Sequence, residues 1–347
     1  MNAVDIRRFR GCRILVIGDL MLDEYTRGRV DRISPEAPVP VVAVSGETDT
    51  LGGAGNVVNN LSVLGAAPMV MGVVGDGRFG RRIREKLAGI GVDANAVISE
   101  SGRPTTRKTR ILAGSQQVLR IDRETSGPVR PETLRRLKSL LDERITTARA
   151  VLISDYGKGL LSRDFLRCIL TSAERAGIPV FVDPKGRDYS RYHGATLLTP
   201  NLKEAGQAAG IDITTRPDLQ TAAARILESS GVKNLLITRG AGGMSLFAAD
   251  GKVHTIHADA RQVFDVSGAG DTVISVLCLC AAAGMPLERA AVAANAAAGV
   301  VVGKVGTATV TAEELEEALS RSGAAEILDG EWNAGVLAPL PGNGIPK

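Results

Sequence analysis

Short apolar runs recur along the chain, separated by longer stretches whose apolar residues have helical spacing. The runs are nearly uninterrupted, which is typical of parallel strands covered on both faces. We predict strands at residues 12–18, 69–75, 150–154, 178–182, 196–199 and 234–238. Residues 131–148 and 162–177 have the pattern of amphipathic helices, the second starting at a Ser162 cap and stopping at Gly177. Repeated strand–helix alternation predicts an α/β fold with a doubly wound, mostly parallel sheet flanked by helices.

Two segments, 38–47 and 106–124, instead alternate polar and apolar residues, as antiparallel strands with one solvated face do. We therefore predict a small antiparallel β-sheet inserted at about 23–47 and 102–124, where it would act as a lid. Bare strand edges tend to pair, so this sheet also favours a homodimer.

The remaining organisation is simple. One domain is predicted over residues 1–325. Residues 326–347 are rich in glycine and proline and are predicted to form an irregular tail.

Composition excludes several classes of protein. Lys and Arg total 42 against 38 Asp and Glu, and aromatic residues make up only 3% of the chain. This balance argues against a nucleic-acid partner. No apolar stretch is long enough for a membrane span, and the N-terminal apolar run is too short for a signal peptide. The 4 cysteines have no C-x-x-C spacing, which favours reduced thiols. We expect a cytoplasmic protein with no membrane partner.

The segment richest in chemistry is a glycine turn, Gly268-Ala269-Gly270, that leads into an apolar helix predicted to begin at Asp271. Glycines let backbone amides approach an anion, and a helix N-terminus adds unpaired N–H groups. Asp271 is placed to accept a proton from an attacking hydroxyl. The alternative is a plain turn followed by a good N-terminal residue. The chain has neither a G-K-[ST] loop nor a G-x-G-x-x-G fingerprint at its first strand, which disfavours a nicotinamide dehydrogenase.

Four motifs, in the same order along the chain, carry a family resemblance. The string DVSGAGDT (265–272) resembles the C-terminal signature of the ribokinase-like (PfkB) sugar kinases, with Val266 in place of the usual threonine. LGGAGN (51–56), NLKE (201–204) and TRGAGG (238–243) match the other motifs of that family. The resemblance implies a ribokinase-like fold and ATP-dependent transfer of a phosphoryl group to a sugar.

The resemblance also implies roles for individual residues. Asp271 would be the general base, with the amides of residues 268–270 as the anion hole. Asn201 and Glu204 would position Mg²⁺–ATP through the water shell of the metal, which suits the chemistry of this ion. Taken alone, Glu204 would be an unremarkable solvent-facing residue. Asp265 would help to bind a monovalent cation such as K⁺.

Two further groups of residues follow from the same resemblance. The residues that would flank the nucleotide are Thr238, Gly240 and Gly243. The residues that would meet the sugar are Gly52, Gly53, Asn56 and Asp19. Asp19 ends the first strand at its carboxyl end, where open α/β sheets bind ligands. Close packing between helix and strand would equally explain the two adjacent glycines.

Within the family, four strings resemble the kinases of D-glycero-β-D-manno-heptose 7-phosphate: residues 16–25, 32–42, 154–159 and 182–186. This resemblance implies phosphorylation of the anomeric O1 to the 1,7-bisphosphate, in ADP-heptose and lipopolysaccharide biosynthesis. Many such kinases are fused to a nucleotidyltransferase with an H-x-G-H string. No such string occurs in this sequence, so we expect the monofunctional form.

A phosphorylated sugar needs cationic partners. Lys108, Arg110 and Arg120 have even spacing and share one face of the inserted strands if the strands alternate regularly. A solvated charged face is the alternative. Lys158 and Lys185 follow strand ends and can reach a phosphate as point charges, either that of the sugar or those of ATP.

Other readings stay open. Asp155 either binds sugar hydroxyls or caps the next helix. Another ribokinase-like kinase, acting on ribose, fructose 6-phosphate or a nucleoside, would keep the mechanism and change the pocket. A non-catalytic sensor of sugar or nucleotide is a third reading, disfavoured because Asp271 and its glycines are intact.

Overall fold

A computed structural model describes residues 5–114, 116–258, 263–321 and 328–331. In chain order, the strands of this part are β1 (Arg13–Gly18), β2 (Leu20–Ile33), β3 (Pro40–Gly53), β4 (Ala67–Gly75), β5 (Val97–Glu100), β6 (Thr106–Ala113), β7 (Gln116–Arg123), β8 (Ala150–Ser154), β9 (Val180–Asp183), β10 (Leu197–Leu198), β11 (Asn234–Thr238), β12 (Met244–Phe247), β13 (Lys252–Ile256) and β14 (Leu328–Glu331). The helices are α1 (Ala54–Val63), α2 (Arg78–Gly89), α3 (Pro131–Ile145), α4 (Arg163–Ala176), α5 (Leu202–Ala209), α6 (Arg216–Ser230), α7 (Ala269–Ala282), α8 (Leu287–Val301) and α9 (Ala312–Arg321).

The main sheet has 10 strands in the order β14-β13-β12-β11-β10-β9-β8-β1-β4-β5. From β11 to β5 all pairings are parallel, and β12 to β14 add antiparallel strands at one edge. Helices α1, α2, α7, α8 and α9 pack on one face, and α3 to α6 pack on the other. Both faces are therefore covered, as the uninterrupted apolar runs require. The predicted α/β fold is confirmed.

Helix α4 shows how local sequence sets an element's limits. The Ser162 hydroxyl accepts a hydrogen bond from the amide of Phe165, and Gly177 adopts the left-handed conformation that ends the helix. Both boundaries lie where the sequence predicts them.

The prediction of an irregular tail from residue 326 is wrong for residues 328–331. They form β14, which pairs antiparallel with β13. The edge of β13 offers unpaired backbone groups, and a strand that covers them satisfies those groups without strong periodicity of its own. Residues 332–347 of the predicted tail lie outside the described residues.

A small sheet of 4 strands, in the order β3-β2-β6-β7, projects from the main sheet. Its two hairpins, β2–β3 and β6–β7, are antiparallel, and the central pairing of β2 with β6 is parallel. Strand β2 follows β1 after Asp19 alone, and β3 passes directly into α1 at Gly53–Ala54. The small sheet is thus joined tightly to the main sheet.

The chain reverses its direction of travel across the main sheet at β1. It goes from β1 to β4 and β5 on one side and later to β8 on the other. Ligands of open α/β sheets bind in the crevice at such a switch point, outside the carboxyl ends of the strands. Asp19 follows β1 and Asp155 follows β8 at this edge.

Among the helices that the structure describes, none has the length and apolar character needed to cross a bilayer.

Candidate functional site

Asp271 is the third residue of α7, which begins two residues before the predicted start, at Ala269. Its side chain is buried, and each carboxylate oxygen accepts one hydrogen bond. Asn56 Nδ2 donates to Oδ2 at 2.8 Å, and the Tyr156 hydroxyl donates to Oδ1 at 2.8 Å. Burial raises the pKa of Asp271 to about 6, although both hydrogen bonds oppose the rise. The carboxylate is therefore ionised at neutral pH, and its pKa suits a general base.

A buried polar chain fixes the orientation of Asn56. Asn60 Nδ2 donates to Asn56 Oδ1 at 3.3 Å, and the Thr272 hydroxyl donates to Asn60 Oδ1 at 3.0 Å. The amide group of Asn56 must therefore direct its NH₂ group toward Asp271. The resemblance implied a sugar contact for Asn56, and the structure places this residue against the carboxylate.

The predicted anion hole lies in the first turn of α7. Gly268 is the N-cap of the helix with φ of 81°, followed by Ala269 and Gly270. The first N–H groups of a helix lack intrahelical partners and attract anions. The amide of Ala269 donates to the Val266 carbonyl at 3.2 Å, so this amide must change partner to bind a phosphoryl oxygen.

Asp265 closes the loop that precedes this turn. Its Oδ1 accepts from the Ser267 amide at 2.9 Å, and its Oδ2 accepts from the Gly306 amide at 3.0 Å. Burial opposes ionisation, but the two amides hold the pKa of Asp265 below its ordinary value. The side chain is an anion beside the anion hole, as binding of a monovalent cation would require.

The predicted nucleotide residues line one cavity. Thr238, Gly240 and Gly243 share a space of about 350 Å³ with Ala269 and Gly270. Small-molecule sites typically have such volumes and mostly apolar walls. The cavity therefore brings the predicted nucleotide residues and the predicted anion hole together, although they are far apart in sequence.

Asn201 and Glu204 form a capping box at the start of α5. The Glu204 amide donates to Asn201 Oδ1 at 3.0 Å, and the Asn201 amide donates to Glu204 Oε2 at 3.2 Å. The other oxygen of Glu204 pairs with Lys185 Nζ at 2.9 Å. Glu204 is thus held on the protein and does not extend freely into solvent.

The acidic groups near Glu204 suit Mg²⁺ bound through water. At the end of β9, burial and the charges of Asp271 and Glu204 raise the pKa of Asp183 well above its ordinary value. A cation at this point would relieve that repulsion. Within the described ranges, no set of three or more His, Cys, Asp or Glu side chains converges as a metal site. The carboxyl groups of Asp183 and Glu204 are oxygen donors of the kind that Mg²⁺ prefers, either directly or through its waters.

Asp19 holds the loop after β8. Its Oδ2 accepts from the amides of Tyr156 at 2.9 Å and Lys158 at 3.1 Å. Burial raises the pKa of Asp19 to about 6, against the effect of these two amides. The side chain was predicted to meet the sugar, and in the structure it anchors the loop that carries Tyr156.

Gly52 and Gly53 leave room for side chains of the site. A Cβ atom on Gly52 would lie 2.2 Å from Asp23 Oδ2, so the absence of a side chain admits Asp23 to this face. Gly53 has φ of 56°, and a Cβ atom there would lie 2.6 Å from the Asp19 carbonyl oxygen. Both glycines are required by close approach, not only by helix–strand packing.

The register of the small sheet places Lys108, Arg110 and Arg120 on one face, as predicted. Arg110 pairs with Asp23 at 2.6 Å, and Lys108 Nζ lies 5.4 Å from the centre of the Tyr156 ring. Burial lowers the pKa of Lys108. Arg120 instead pairs with Asp122 and is half exposed. The first two cations, but not the third, are therefore engaged beside the crevice.

Two other predicted residues have partners of their own. Lys158 Nζ pairs with Glu124 at 2.7 Å. Asp155 is buried and accepts from the Tyr192 hydroxyl at 2.7 Å and the Gly157 amide at 2.8 Å. The next helix, α4, is capped by Ser162, so Asp155 stabilises the turn that follows β8.

Sequence reasoning missed Tyr156 and Asp23 as individual residues. Both lie in strings that carry the resemblance to heptose 7-phosphate kinases, 154–159 and 16–25. Tyr156 lies two residues after the end of β8, next to Asp155. This position at the carboxyl end of a strand was the sequence signal that could have identified Tyr156 as a site residue.

Comparison with known proteins agrees with this geometry. The family model described as pfkB family carbohydrate kinase matches residues 13–314. The bifunctional protein HldE of Desulfatibacillum aliphaticivorans is 50% identical over 319 residues, which cover 92% of this chain and 65% of that protein. HldE of Trichlorobacter lovleyi is 50% identical over 308 residues, which cover 89% of this chain and 63% of that protein. The chain thus spans less than two thirds of the length of these relatives.

Solved structures show the same fold. Arabidopsis thaliana ribokinase complexed with ribose and ATP superposes with a TM-score of 0.71 at 22% identity, covering 89% of this chain and 99% of that one. Escherichia coli phosphofructokinase-2 in complex with potassium superposes with a TM-score of 0.75 at 20% identity. The match covers 89% of this chain and 99% of that one. Because the family model matches residues 13–314, which is most of its length, the chain belongs to the pfkB family of carbohydrate kinases.

Proposed function

We propose that the protein transfers the γ-phosphoryl group of ATP to O1 of D-glycero-β-D-manno-heptose 7-phosphate. The observation that carries the proposal is the placement of Lys108 on the small sheet. Its Nζ lies 5.4 Å from the ring centre of Tyr156, whose hydroxyl donates to Asp271 at 2.8 Å. A cationic face thus lies beside the base, where an anionic sugar would be bound.

The relatives support this substrate. The bifunctional HldE proteins of two organisms match this chain at 50% identity, in agreement with the resemblance of its sequence to heptose 7-phosphate kinases. The proposal concerns the kinase reaction alone. Its product, the 1,7-bisphosphate, would supply ADP-heptose for lipopolysaccharide. We propose that the reaction takes place in the cytoplasm.

The proposed chemistry is an in-line transfer. Asp271 accepts the proton from O1 while O1 attacks the γ-phosphorus, the bond from that phosphorus to the β,γ-bridging oxygen breaks, and ADP leaves. The amides at residues 268–270 stabilise the charge on the transferred group. Asn201 and Glu204 would hold Mg²⁺ through its waters, and this ion supplies positive charge beside the phosphates. Asp265 would hold the monovalent cation.

The direct test measures ADP release with Mg²⁺–ATP and a panel of sugars: heptose 7-phosphate, unphosphorylated heptose, ribose, fructose 6-phosphate and adenosine. We expect strong preference for heptose 7-phosphate. Turnover of another panel member alone would keep Asp271 as the base and overturn the proposed substrate. No turnover, with ATP still bound, would favour a sensor.

Lys108→Met adds a test of the cationic face. Loss of a charge-assisted contact costs about 1.5–3 kcal/mol, so kcat/KM for heptose 7-phosphate should fall by about 10- to 100-fold. Turnover of unphosphorylated heptose should fall much less. Lys138→Met, on α3 and away from the site, is the matched control. Equal losses on both sugars would contradict a phosphate contact.

We also propose a homodimer formed through the small sheet. This sheet and its hairpin turn expose large hydrophobic side chains: Val30, Ile33, Val39, Val44, Val118 and Leu119. Leu119 is 52% exposed and pairs with Ile111, on the face opposite Arg110. Exposed apolar groups of this kind mark interaction surfaces.

Leu119→Lys is therefore expected to shift the protein from dimer to monomer in light scattering after gel filtration. Val63→Lys introduces the same charge at a partly exposed position on α1 and should leave the dimer intact. A monomeric wild-type protein, or a dimer unaffected by Leu119→Lys, would contradict an interface at this surface.

A further inference from the structure

We propose that Tyr156 is a positioning residue for the base, holding the Asp271 carboxylate in one orientation and in its ionised form. The inference rests on the proposed role of Asp271 but not on the identity of the sugar. Tyr156 lies outside the four motifs that carry the family resemblance.

The surroundings of Tyr156 fix its position. Its amide donates to Asp19 Oδ2 at 2.9 Å. Its ring lies over Gly53, where a Cβ atom would be 3.4 Å from Tyr156 Cε2. Lys108 Nζ lies 5.4 Å from the ring centre, within the range of a cation–π contact. The hydroxyl is thereby directed at Asp271 by contacts with Asp19, between β1 and β2, and with residues of β3 and β6.

The hydroxyl is a permanent donor. Burial and the charge of Asp271 raise the pKa of Tyr156 well above its ordinary value, so the phenol stays protonated at any working pH. Each carboxylate oxygen has two lone-pair directions. Tyr156 and Asn56 each occupy one lone-pair direction, on different oxygens of Asp271. The remaining directions are left for the acceptor hydroxyl, and the two hydrogen bonds fix the plane of the carboxylate.

Charged groups from several elements also act on Asp271. Asp23 on β2 raises its pKa, and Lys108 on β6 lowers it. Asp183 on β9 lies near enough for the two carboxylates to repel each other. Only Tyr156 and Asn56 donate hydrogen bonds directly to the carboxylate among the contacts described. Removing the Tyr156 hydroxyl therefore leaves the charges in place and deletes one donor.

The first experiment needs no substrate. The side-chain carboxyls of aspartate are labelled with ¹³C, and Asp271 is titrated by NMR in the wild type and in Tyr156→Phe, with Asp271→Asn to assign the signal. We expect the pKa of Asp271 to rise by about one to two units, the size of a lost hydrogen bond to a charged group. Tyr189→Phe is the matched control, because the Tyr189 hydroxyl is buried without a hydrogen-bond partner in the described structure. An unchanged titration in Tyr156→Phe would overturn the proposal.

The second experiment measures kcat against pH. With a pKa of about 7–8 instead of about 6, the base of Tyr156→Phe is only partly ionised at pH 7, and kcat should fall by about 2- to 10-fold from ionisation alone. The loss should shrink as the pH is raised to 9. A loss that stays constant with pH would show that the hydroxyl has only a structural role, against the proposal.

A third variant covers poor folding of Tyr156→Phe. Trifluorotyrosine at position 156 keeps the ring and is a stronger hydrogen-bond donor. The rise of kcat with pH on the acidic side of the profile should therefore move to lower pH. A rise of kcat at the same pH as in the wild type would again contradict the inference. If the wild type fails to phosphorylate the heptose, the proposed substrate is wrong, while the NMR titration still decides the role of Tyr156.

Discussion

Replacing Asp271 with asparagine is expected to lower kcat by about 10²- to 10⁴-fold, the range for loss of general-base catalysis. Binding of ATP and sugar should change little, because the new side-chain amide has the same shape. It can still accept from Asn56 with its oxygen and donate to the Tyr156 oxygen with its nitrogen. The measurements are initial rates of ADP release and calorimetric binding of ATP.

The pH dependence of the same variant is a second readout. In the wild type the base is ionised above its pKa of about 6, so kcat should rise as the pH increases through that value and then level off. The residual activity of the variant should not show this rise of kcat with pH. Asp142→Asn, on the exposed side of α3, is the control. Near-full turnover by Asp271→Asn would show that another group takes the proton.

Gly268→Ala is expected to cause the other large loss, about 10²- to 10³-fold in kcat, the usual effect of removing an anion-hole donor. A Cβ atom at this position would lie 2.8 Å from Asn56 Nδ2, the atom that holds Asp271. The glycine also has φ of 81°, where a side chain costs about 1–2 kcal/mol. One methyl group would thus disturb both the anion hole and the base.

A matched variant separates these two effects. Gly210 has φ of 66° at the end of α5, and a Cβ atom there would meet nothing within 4 Å. Gly210→Ala should therefore lower the melting temperature much as Gly268→Ala does, with kcat close to that of the wild type. Equal losses of activity in the two variants would mean that general destabilisation, and not the clash with Asn56, is responsible.

The fold was accessible from the sequence because its signals are local. A strand buried on both faces must be apolar throughout, and residues 150–154 show this without reference to any partner. The helix signals at Ser162 and Gly177 are likewise properties of a few neighbouring residues. The glycine turn before Asp271 likewise predicted, from its local sequence alone, a helix that begins close to this residue.

What the sequence did not reveal depends on partners distant in the chain. The bond from Asn56 to Asp271 joins residues 215 positions apart, and no local pattern distinguishes it from a sugar contact. The bond from Tyr156 to Asp271 has the same character. The parallel pairing of β2 with β6 depends on how two separate hairpins meet. Alternation places Asp122 on the same face of β7 as Arg120, but it does not show that the two side chains pair.

The short connections of the small sheet limit how it can move. β2 leaves β1 after one residue, and β3 continues straight into α1, so the sheet cannot swing on long loops as a flap does. The β2–β3 hairpin can therefore tilt only about these two short connections, which are its roots. One root is Asp19, which binds the backbone of Tyr156, and the other is Gly53, which lies under its ring. If the proposed function is correct, a tilt that enclosed a sugar would be transmitted to the neighbours of Asp271, so that enclosing the substrate and orienting the base would be one motion.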